Sequence, residues 1–300
     1  MNKKLLSFFF LLFLSSALFA QDSLWTKLQT QTNDNENVIA TFKSTKIISA
    51  QSNETMKKRN LDFRVAHLFG NMGNNSGGGV HTLYGLDQSN DIRIAFDYGI
   101  TDRLMVSLGR NKRQENLAGA VKVRALEQTA DGRVPLAITV YANTAYTTKT
   151  DVNEGDSVTT ISGARRMSYC TQAIFARKFS SKFSFEVIGS WIHRNLVDLR
   201  INPQDDNDLF SVGVGGRFKF TKSMAIIADY FYNFRNESTG VKMYDPLSAG
   251  IEIETGGHVF SIMFTNAVGL LENDFIPNTS DSWSNGGYKF SFNISRVFKL

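Results

Sequence analysis

Cysteine and proline are scarce in this sequence, and long apolar runs are missing after its first twenty residues. The single cysteine, Cys170, excludes an internal disulfide and a zinc site built from cysteines. No later stretch approaches roughly eighteen consecutive apolar residues, which excludes transmembrane helices. Four prolines against 23 glycines suit a chain of many strands and turns better than a helical one.

The charge balance argues against a nucleic-acid partner. The net charge is +5, and it falls to +3 without Lys3 and Lys4. No basic helix or ribbon accompanies this mild excess. The mean hydropathy of −0.19 resembles that of a soluble protein. A β-barrel hides its membrane signal, however, because only alternate residues of each strand face lipid.

The first twenty residues have the pattern of an export signal. Lys3 and Lys4 precede the apolar run Leu5–Leu14, and small residues dominate from Ser15 to Ala20. Leu18 departs from the pattern, because a small residue is usual there. The apolar run is too short for a membrane anchor. We expect cleavage after Ala20, and no cysteine follows that could carry a lipoprotein anchor.

Residues 21–60 do not keep a steady period. Lys43, Lys46, Ile47 and Ile48 break the alternation of the most strand-like part. We therefore predict an N-terminal periplasmic arm or plug over residues 21–60, with the barrel wall over residues 61–300.

The stretch from Leu209 to Phe234 predicts a membrane-spanning hairpin. Its apolar side chains alternate with polar residues and glycines and keep the same parity across the turn Thr221–Ser223. Each side is about eleven residues long, near the 9–11 that a tilted strand needs to cross a bilayer. The apolar row consists of Phe210, Val212, Val214, Phe218, Phe220, Met224, Ile226, Ala228, Tyr230, Tyr232 and Phe234.

The same alternation recurs from Leu61 to Phe298 and predicts twelve strands. Short connections alternate with mostly longer ones, which is the asymmetry of periplasmic turns and extracellular loops. The fold prediction is an all-β, antiparallel, up-and-down transmembrane β-barrel of about twelve strands with a short N-terminal arm. An even strand number places both termini in the periplasm. A soluble β-sandwich is the alternative, but it would not need matching parity at every short turn.

Three segments resemble a known family of barrels. They are residues 251–260 (IEIETGGHVF), 292–298 (FNISRVF) and 98–104 (YGITDRL). They are similar to a Bacteroidetes outer-membrane barrel family catalogued as domain of unknown function 5777. The resemblance covers most of the chain from about Phe42 onward. Thr255–His258 is the most specific element. The resemblance implies an outer-membrane barrel of a Gram-negative bacterium and implies no activity.

Six acidic and six basic side chains fall on the inward row of the predicted strands. They can pair across the lumen and replace a hydrophobic core, or they can line a path for polar solutes. Because twelve strands lie between a filled barrel of eight and an open one of sixteen, we expect a narrow or plugged lumen. The candidates are Asp62, Arg64, Arg93, Asp97, Lys122, Arg124, Glu186, Arg217, Lys219, Asp229, Glu252 and Glu254.

The turn formed by Gly256 and Gly257 suits the positive φ angles of a type I′ hairpin and is flanked by His258. A pair of His258 with Glu254 is one possibility, and an interfacial or turn-stabilising histidine is the other. Asp205, Asp206 and Asp208 form either a calcium loop or a solvated acidic loop, and their spacing does not match an EF-hand. We predict no catalytic residue, no metal and no cofactor.

These patterns predict passage or binding of a small solute without covalent chemistry. A closed structural or docking barrel that anchors periplasmic partners is the alternative, and an outer-membrane lipid enzyme is the third hypothesis. The expected partners are outer-membrane lipid, the barrel assembly machinery and a small polar solute. A further hypothesis is that the arm enters the lumen, where its lysines pair with Glu252, Glu254 and Asp229.

Overall fold

The computed structural model describes residues 37–300 except 39, 150, 155–156, 161–162, 198–204 and 236–239. The predicted signal segment and residues 21–36 lie outside the described residues. Among the described residues, no helix has the length and hydropathy needed to cross a membrane.

Within the described chain, twelve antiparallel strands form a closed barrel, which confirms the predicted fold and strand number. The barrel closes where the first strand pairs with the last, for example at Val65 and Ile294. Closure gives every strand two partners, as the absence of water in a bilayer core requires. The barrel strands are β1 Asn60–Asn71, β2 Ser89–Gly99, β3 Leu104–Asn111, β4 Asn116–Leu126, β5 Ala137–Thr147, β8 Met167–Lys178, β9 Phe183–Arg194, β10 Asp208–Lys219, β11 Met224–Phe234, β12 Leu247–Thr255, β13 His258–Thr265 and β14 Lys289–Lys299.

Smaller elements lie in the connections. Strands β6 (Asp151–Glu154) and β7 (Ser157–Thr160) pair with each other outside the barrel. Helix α1 (Glu272–Asn278) lies between β13 and β14. Short 3-10 helices span Asn74–Ser76, Val80–Thr82, Gly163–Arg166 and Trp283–Asn285.

The hairpin of β10 and β11 has the predicted register. Phe218 lies opposite Ile226, and the backbone N–H of Phe220 donates to the carbonyl oxygen of Met224 at 3.2 Å. Ala228 points outward, whereas its neighbours Ile227 and Asp229 are buried inside. The outward rows of the barrel carry exposed apolar side chains, including the aromatic residues Phe96, Phe175, Phe179, Phe183, Trp191, Phe210, Phe218, Phe220, Tyr232, Phe234 and Phe264.

The two ends of the barrel differ in their connections. At one end, called the turn end, residues 100–103, 179–182, 220–223 and 256–257 make tight turns. The opposite loop end carries most of the longer connections, but residues 112–115 make a tight turn there as well. The connection 127–136 is the long one at the turn end. It contacts the entering chain, because the N–H of Val38 donates to the carbonyl oxygen of Gln128 at 2.8 Å.

Two segments enter the barrel and fill it. One is the arm, residues 40–59, which comes from the turn end, and the other is the inward loop, residues 266–288, which comes from the loop end. Polar side chains are not the only filling of the lumen. Inward apolar residues of β8, β9 and β11 pack against both segments in a buried cluster that includes Ala50, Ile174, Ile188, Ile192, Phe231, Phe275 and Ile276.

Candidate functional site

The arm forms a hairpin inside the lumen. Its two sides approach each other where the N–H of Ser52 donates to the carbonyl oxygen of Thr45 at 3.0 Å. The tip closes with a bond of 2.9 Å from the N–H of Ile47 to the carbonyl oxygen of Ala50. The chain then returns to the turn end, where the N–H of Arg59 donates to the carbonyl oxygen of Gly99 at 2.8 Å. Both ends of the arm therefore lie at the turn end, and its tip lies deep in the barrel.

Asp229 on β11 holds the tip of the arm. Its Oδ2 accepts the backbone N–H groups of Ile48, Ser49 and Ala50 at 3.3, 2.7 and 2.9 Å. Three successive N–H groups aimed at one oxygen form an anion-binding nest. The carboxylate therefore binds the main chain of the tip.

Lys122 on β4 binds the arm from another side of the lumen. Its Nζ donates to the carbonyl oxygens of Thr45, Ser52 and Glu54 at 2.8, 3.0 and 3.3 Å. The side chain is 0% exposed, so its charge is compensated by main-chain oxygens and not by water. Its Nζ also lies 5.8 Å from the ring centre of Tyr141.

A third group of contacts joins the arm to β1 and β2. Arg64 Nη2 donates to Ser44 Oγ and Thr45 Oγ1 at 2.8 Å each, and to Asp62 Oδ2 at 2.9 Å. Thr45 Oγ1 in turn donates to Asp97 Oδ2 at 2.7 Å. Hydroxyl groups of the arm therefore complete an ionic network of the wall.

Near the turn end, the acids of β12 pair with bases of the wall and the arm. Arg217 contacts Glu252 at 2.8 Å and Glu254 at 2.5 Å. Lys219 and Lys43 approach Glu254 at 3.7 and 3.1 Å. Of the hypothesised arm contacts, the structure therefore has a lysine on Glu254, whereas Glu252 contacts Arg217 and Asp229 binds main-chain N–H groups.

The remaining inward candidates lie on β2, β4 and β9. Arg124 pairs with Glu54 of the arm at 3.3 Å and with Glu127 at 3.2 Å. Arg93 donates to Asn111 on β3. Glu186 Oε2 accepts the backbone N–H of Asn53 at 3.2 Å.

Glu272 joins the arm to the inward loop, and the sequence patterns did not reveal it. Its carboxylate accepts from Lys46 Nζ at 2.6 Å and from Gln51 Nε2 at 3.0 Å. Asn143 and Tyr141 donate to it from β5 at 3.3 and 3.4 Å. Glu272 lies in a connection with no alternation, so its sequence position gave no sign that it points into the lumen.

Burial and neighbouring charges act in opposite directions on the pKa values of Lys46 and Glu272. Neither residue belongs to a membrane-spanning strand. Burial lowers the pKa of the Lys46 ammonium, although Glu272 lies beside it. Burial alone would raise the pKa of Glu272, but the charges of Lys46 and Arg93 lower it. Glu272 is therefore held as a carboxylate. The pair forms a buried ionic link between the arm and the inward loop.

The wall and the turn 112–115 also anchor the inward loop. Arg113 contacts Asp274 at 3.1 Å, and Asp91 accepts the backbone N–H of Leu270 at 2.9 Å. Lys289 on β14 contacts Asp281 at 2.5 Å. These bonds hold the loop against the wall.

Little free space is left between the arm and β2. A cavity there has about 20 Å³, which holds about one water molecule. Its lining consists of Lys46, Gln51, Arg64, Arg93, Ala95, Asp97, Ser107 and Tyr141.

The residues predicted at the rims are engaged in local contacts. Gly256 and Gly257 connect β12 and β13 as predicted, but only Gly257, with a φ of 118°, has a positive φ, so the turn is not of type I′. The ring of His258 lies 5.8 Å from that of Phe260, on the outward row, so His258 and the lumen residue Glu254 lie on opposite faces.

The acidic connection after β9 also makes local contacts. Asp205 pairs with Arg194 at 3.0 Å. Asp208 accepts from Trp191 at 2.8 Å and contacts His193 at 2.9 Å. The carboxylates of Asp205 and Asp208 therefore bind neighbouring side chains at the end of β9.

A closed antiparallel barrel with an apolar outer face and a charged interior is a membrane-bound β-barrel of the outer-membrane type. The family DUF5777, described as a membrane bound beta barrel domain, matches residues 42–298, and the chain belongs to this family. Among curated proteins, none matches the chain.

Solved structures with a similar fold include porins and a channel. The NanC porin has 10% identity and a TM-score of 0.47, with 80% of this chain and 100% of the porin covered. The KdgM porin has 8% identity and a TM-score of 0.44, with 80% of this chain and 99% of the porin covered. The COG4313 outer membrane channel from Pseudomonas putida F1 has 12% identity and a TM-score of 0.43, with 82% of this chain and 97% of the channel covered. At such identities the likeness concerns the fold alone.

Proposed function

We propose that the protein is an outer-membrane barrel that lets a small polar solute pass when the arm leaves the lumen. The observation that carries this proposal is the polar attachment of the arm. Charged wall residues such as Lys122, Glu186 and Asp229 bind it through hydrogen bonds. No covalent chemistry belongs to the proposal.

Polar attachment favours a removable plug over permanent filling. A buried ionic network is often no more stabilising than apolar side chains of similar volume, so a permanently closed barrel gains little from it. Residues that are at times exposed to water need to be polar. When the arm leaves, Lys122, Glu186 and Asp229 face a hydrated lumen and can interact with a polar solute.

The orientation follows from the connections. In outer-membrane barrels the short turns lie in the periplasm and the longer loops outside. We therefore place the turn end, both ends of the arm and both termini of the chain on the periplasmic side, with the inward loop coming from the extracellular side. The outward rows contact outer-membrane lipid, and the barrel assembly machinery is the expected partner for insertion.

The filled lumen itself favours a second candidate, the closed structural barrel that anchors periplasmic partners. In that case the arm and the inward loop replace a core and stay in place. The two candidates differ in whether the arm moves, and they can be separated by fixing it.

A disulfide between the arm and the wall tests the proposal. Ser49 Oγ and Ser248 Oγ are 3.3 Å apart and buried, so a Ser49→Cys/Ser248→Cys variant has closely placed sulfurs. The buried Cys170 is replaced by alanine in all samples. Conductance in planar bilayers is measured before and after reduction, with Cys170→Ala alone as the control.

We expect the oxidised variant to be closed and the reduced one to conduct like the control. Equal conductance in both states would show that solutes do not need the arm to move. A folded control without conductance would favour the closed structural barrel.

A further inference from the structure

The wall recognises the arm mainly through groups that every peptide has. The carboxylates of Asp229 and Glu186 accept four main-chain N–H groups of the arm, those of Ile48, Ser49, Ala50 and Asn53. These acceptors lie on β11 and β9.

Donors for the main-chain carbonyl groups come largely from other strands. Lys122 on β4 reaches three carbonyl oxygens of the arm, and Thr139 Oγ1 on β5 donates to that of Asn53 at 3.0 Å. Ser184 Oγ on β9 donates to the carbonyl oxygen of Thr41 at 2.6 Å. The wall therefore offers matched donors and acceptors to a folded-back peptide.

Part of the arm touches the polar wall with small hydroxylated side chains, whereas Lys43 and Glu54 form ion pairs with it. Ser44 and Ser49 each make one hydrogen bond through the hydroxyl group, and Thr45 makes two. A chain with a different sequence but small side chains can make the same main-chain contacts. The arm thus occupies the lumen as a peptide ligand would.

We propose that Lys122, Thr139, Glu186 and Asp229 form a binding site for peptide main chain, and that the solute is a short peptide with small side chains. This inference rests on the proposed function, because the site is free only when the arm has left. The alternation of N–H donors and carbonyl acceptors along a peptide matches the carboxylates of β9 and β11 and the ammonium of β4. A neutral oligosaccharide presents hydroxyl groups instead and lacks this alternation.

The test uses the full-length chain with the arm released by a change in the arm itself. Ile47 packs with Phe42, Ala176 and Ile227 in a buried cluster. Ile47→Asp places a charge there without a partner, which favours expulsion of the arm and leaves the four site residues intact. Phe42→Ser is a milder second variant in case Ile47→Asp does not fold. Folding is checked by the gel shift between unboiled and boiled samples.

Binding is measured by calorimetry with two uncharged probes of similar size, an acetylated and amidated Ala-Ser-Ala-Ser peptide and raffinose. The Ile47→Asp protein should bind the peptide at least tenfold more tightly than raffinose. Adding Lys122→Met or Asp229→Asn should weaken peptide binding at least tenfold. Ser261→Ala is the matched control, because Ser261 is buried on the inward row of β13 and belongs to neither the site nor its contacts.

Equal affinity for peptide and raffinose, or peptide binding unaffected by Lys122→Met and Asp229→Asn, would overturn the inference. Flux of both probes into liposomes that contain the Ile47→Asp protein tests the proposed function separately. Flux without selectivity for the peptide would contradict the peptide-binding site alone. Selective binding of the peptide without any flux would contradict the proposed function but not the binding site.

Discussion

Ile47 of the arm lies directly over Gly215 of β10. A Cβ atom added to Gly215 would be 2.5 Å from Ile47 Cδ1, a distance at which one of the two residues has to move. Glycine in a strand interior often marks the close approach of another segment. The wall at this position is therefore shaped to receive the tip of the arm.

Gly215→Val should loosen the arm and raise conductance. Overpacking of this kind costs about 1–3 kcal/mol, and the arm can relieve it by withdrawing, whereas the strand is fixed by its neighbours. Gly189→Val on β9 is the control, because a Cβ there meets nothing within 4 Å. If Gly215→Val conducts no better than Gly189→Val in planar bilayers, the contact does not control closure.

Neighbouring residues of β11 should respond differently to arginine. Ala228 faces outward near the middle of the strand, and Ala228→Arg should destabilise the folded barrel by about 2–4 kcal/mol, the usual cost at the bilayer midplane. Ile227 points inward, but it is 1% exposed and packs on Phe42 and Ile47. Alternation alone suggests that an inward arginine at position 227 would face a polar lumen and cost little stability. This does not follow, because Ile227 packs in an apolar cluster.

Ile227→Arg should instead act on closure. Its guanidinium has no partner in the apolar cluster, so we expect it to displace the arm and then face water. Urea unfolding should show the larger loss of stability for Ala228→Arg, and conductance should rise only for Ile227→Arg. The opposite assignment of the two effects would mean that the register of β11 is wrong.

The barrel wall was predictable because lipid imposes a strict period of two on every strand. The outward row from Phe210 to Phe220 and from Met224 to Phe234 is apolar except at Gly216, and the structure has the hairpin that this row predicts. The contents of the lumen were not predictable in this way. Lys46 and Glu272 are far apart in sequence, and neither lies in a periodic segment.

Some signals of the filled lumen were present in the inward rows. Ile188, Ile192 and Phe231 are apolar residues on the side that was expected to be polar, and each is buried under the arm or the inward loop. Apolar side chains on both faces of a strand indicate packing on both faces. The clustered bases Lys43 and Lys46 indicated pairing but could not identify Glu272 as a partner.

The Lys46–Glu272 pair should couple the arm to the inward loop. Glu272→Gln leaves the buried ammonium of Lys46 without its charged partner, and breaking a buried pair in this way costs up to about 3–5 kcal/mol. Thermal unfolding should show the loss, and conductance should rise. The control is Glu115→Gln, which changes an exposed pair worth about 0–1 kcal/mol.

Restoring the charge balance gives a stricter measure of this coupling. Lys46→Met combined with Glu272→Gln removes both charges, so the double variant should be more stable than Glu272→Gln alone. Strictly additive losses would show that the two residues act independently, and the arm and the inward loop would then not be linked through this pair.

Deletion of residues 21–58, with the predicted signal segment kept, should open the barrel. Strand β1 begins at Asn60, so the deletion leaves every barrel strand intact while it removes the arm from the lumen. Without the arm, Asp229, Glu186 and Lys122 lose main-chain partners and become hydrated. We expect lower stability but higher conductance and faster uptake of small polar solutes. Folding is verified by faster migration of the unboiled sample on a gel.

Deletion of residues 21–36 alone is the matched control, because it shortens the N-terminus and keeps the contacts of the arm from Thr41 to Thr55. This shorter deletion should conduct like the intact chain. If the longer deletion folds and conducts no better than the shorter one, the arm does not gate the lumen. The inward loop would then have to close the barrel by itself, and the closed structural barrel would be the better account of the molecule.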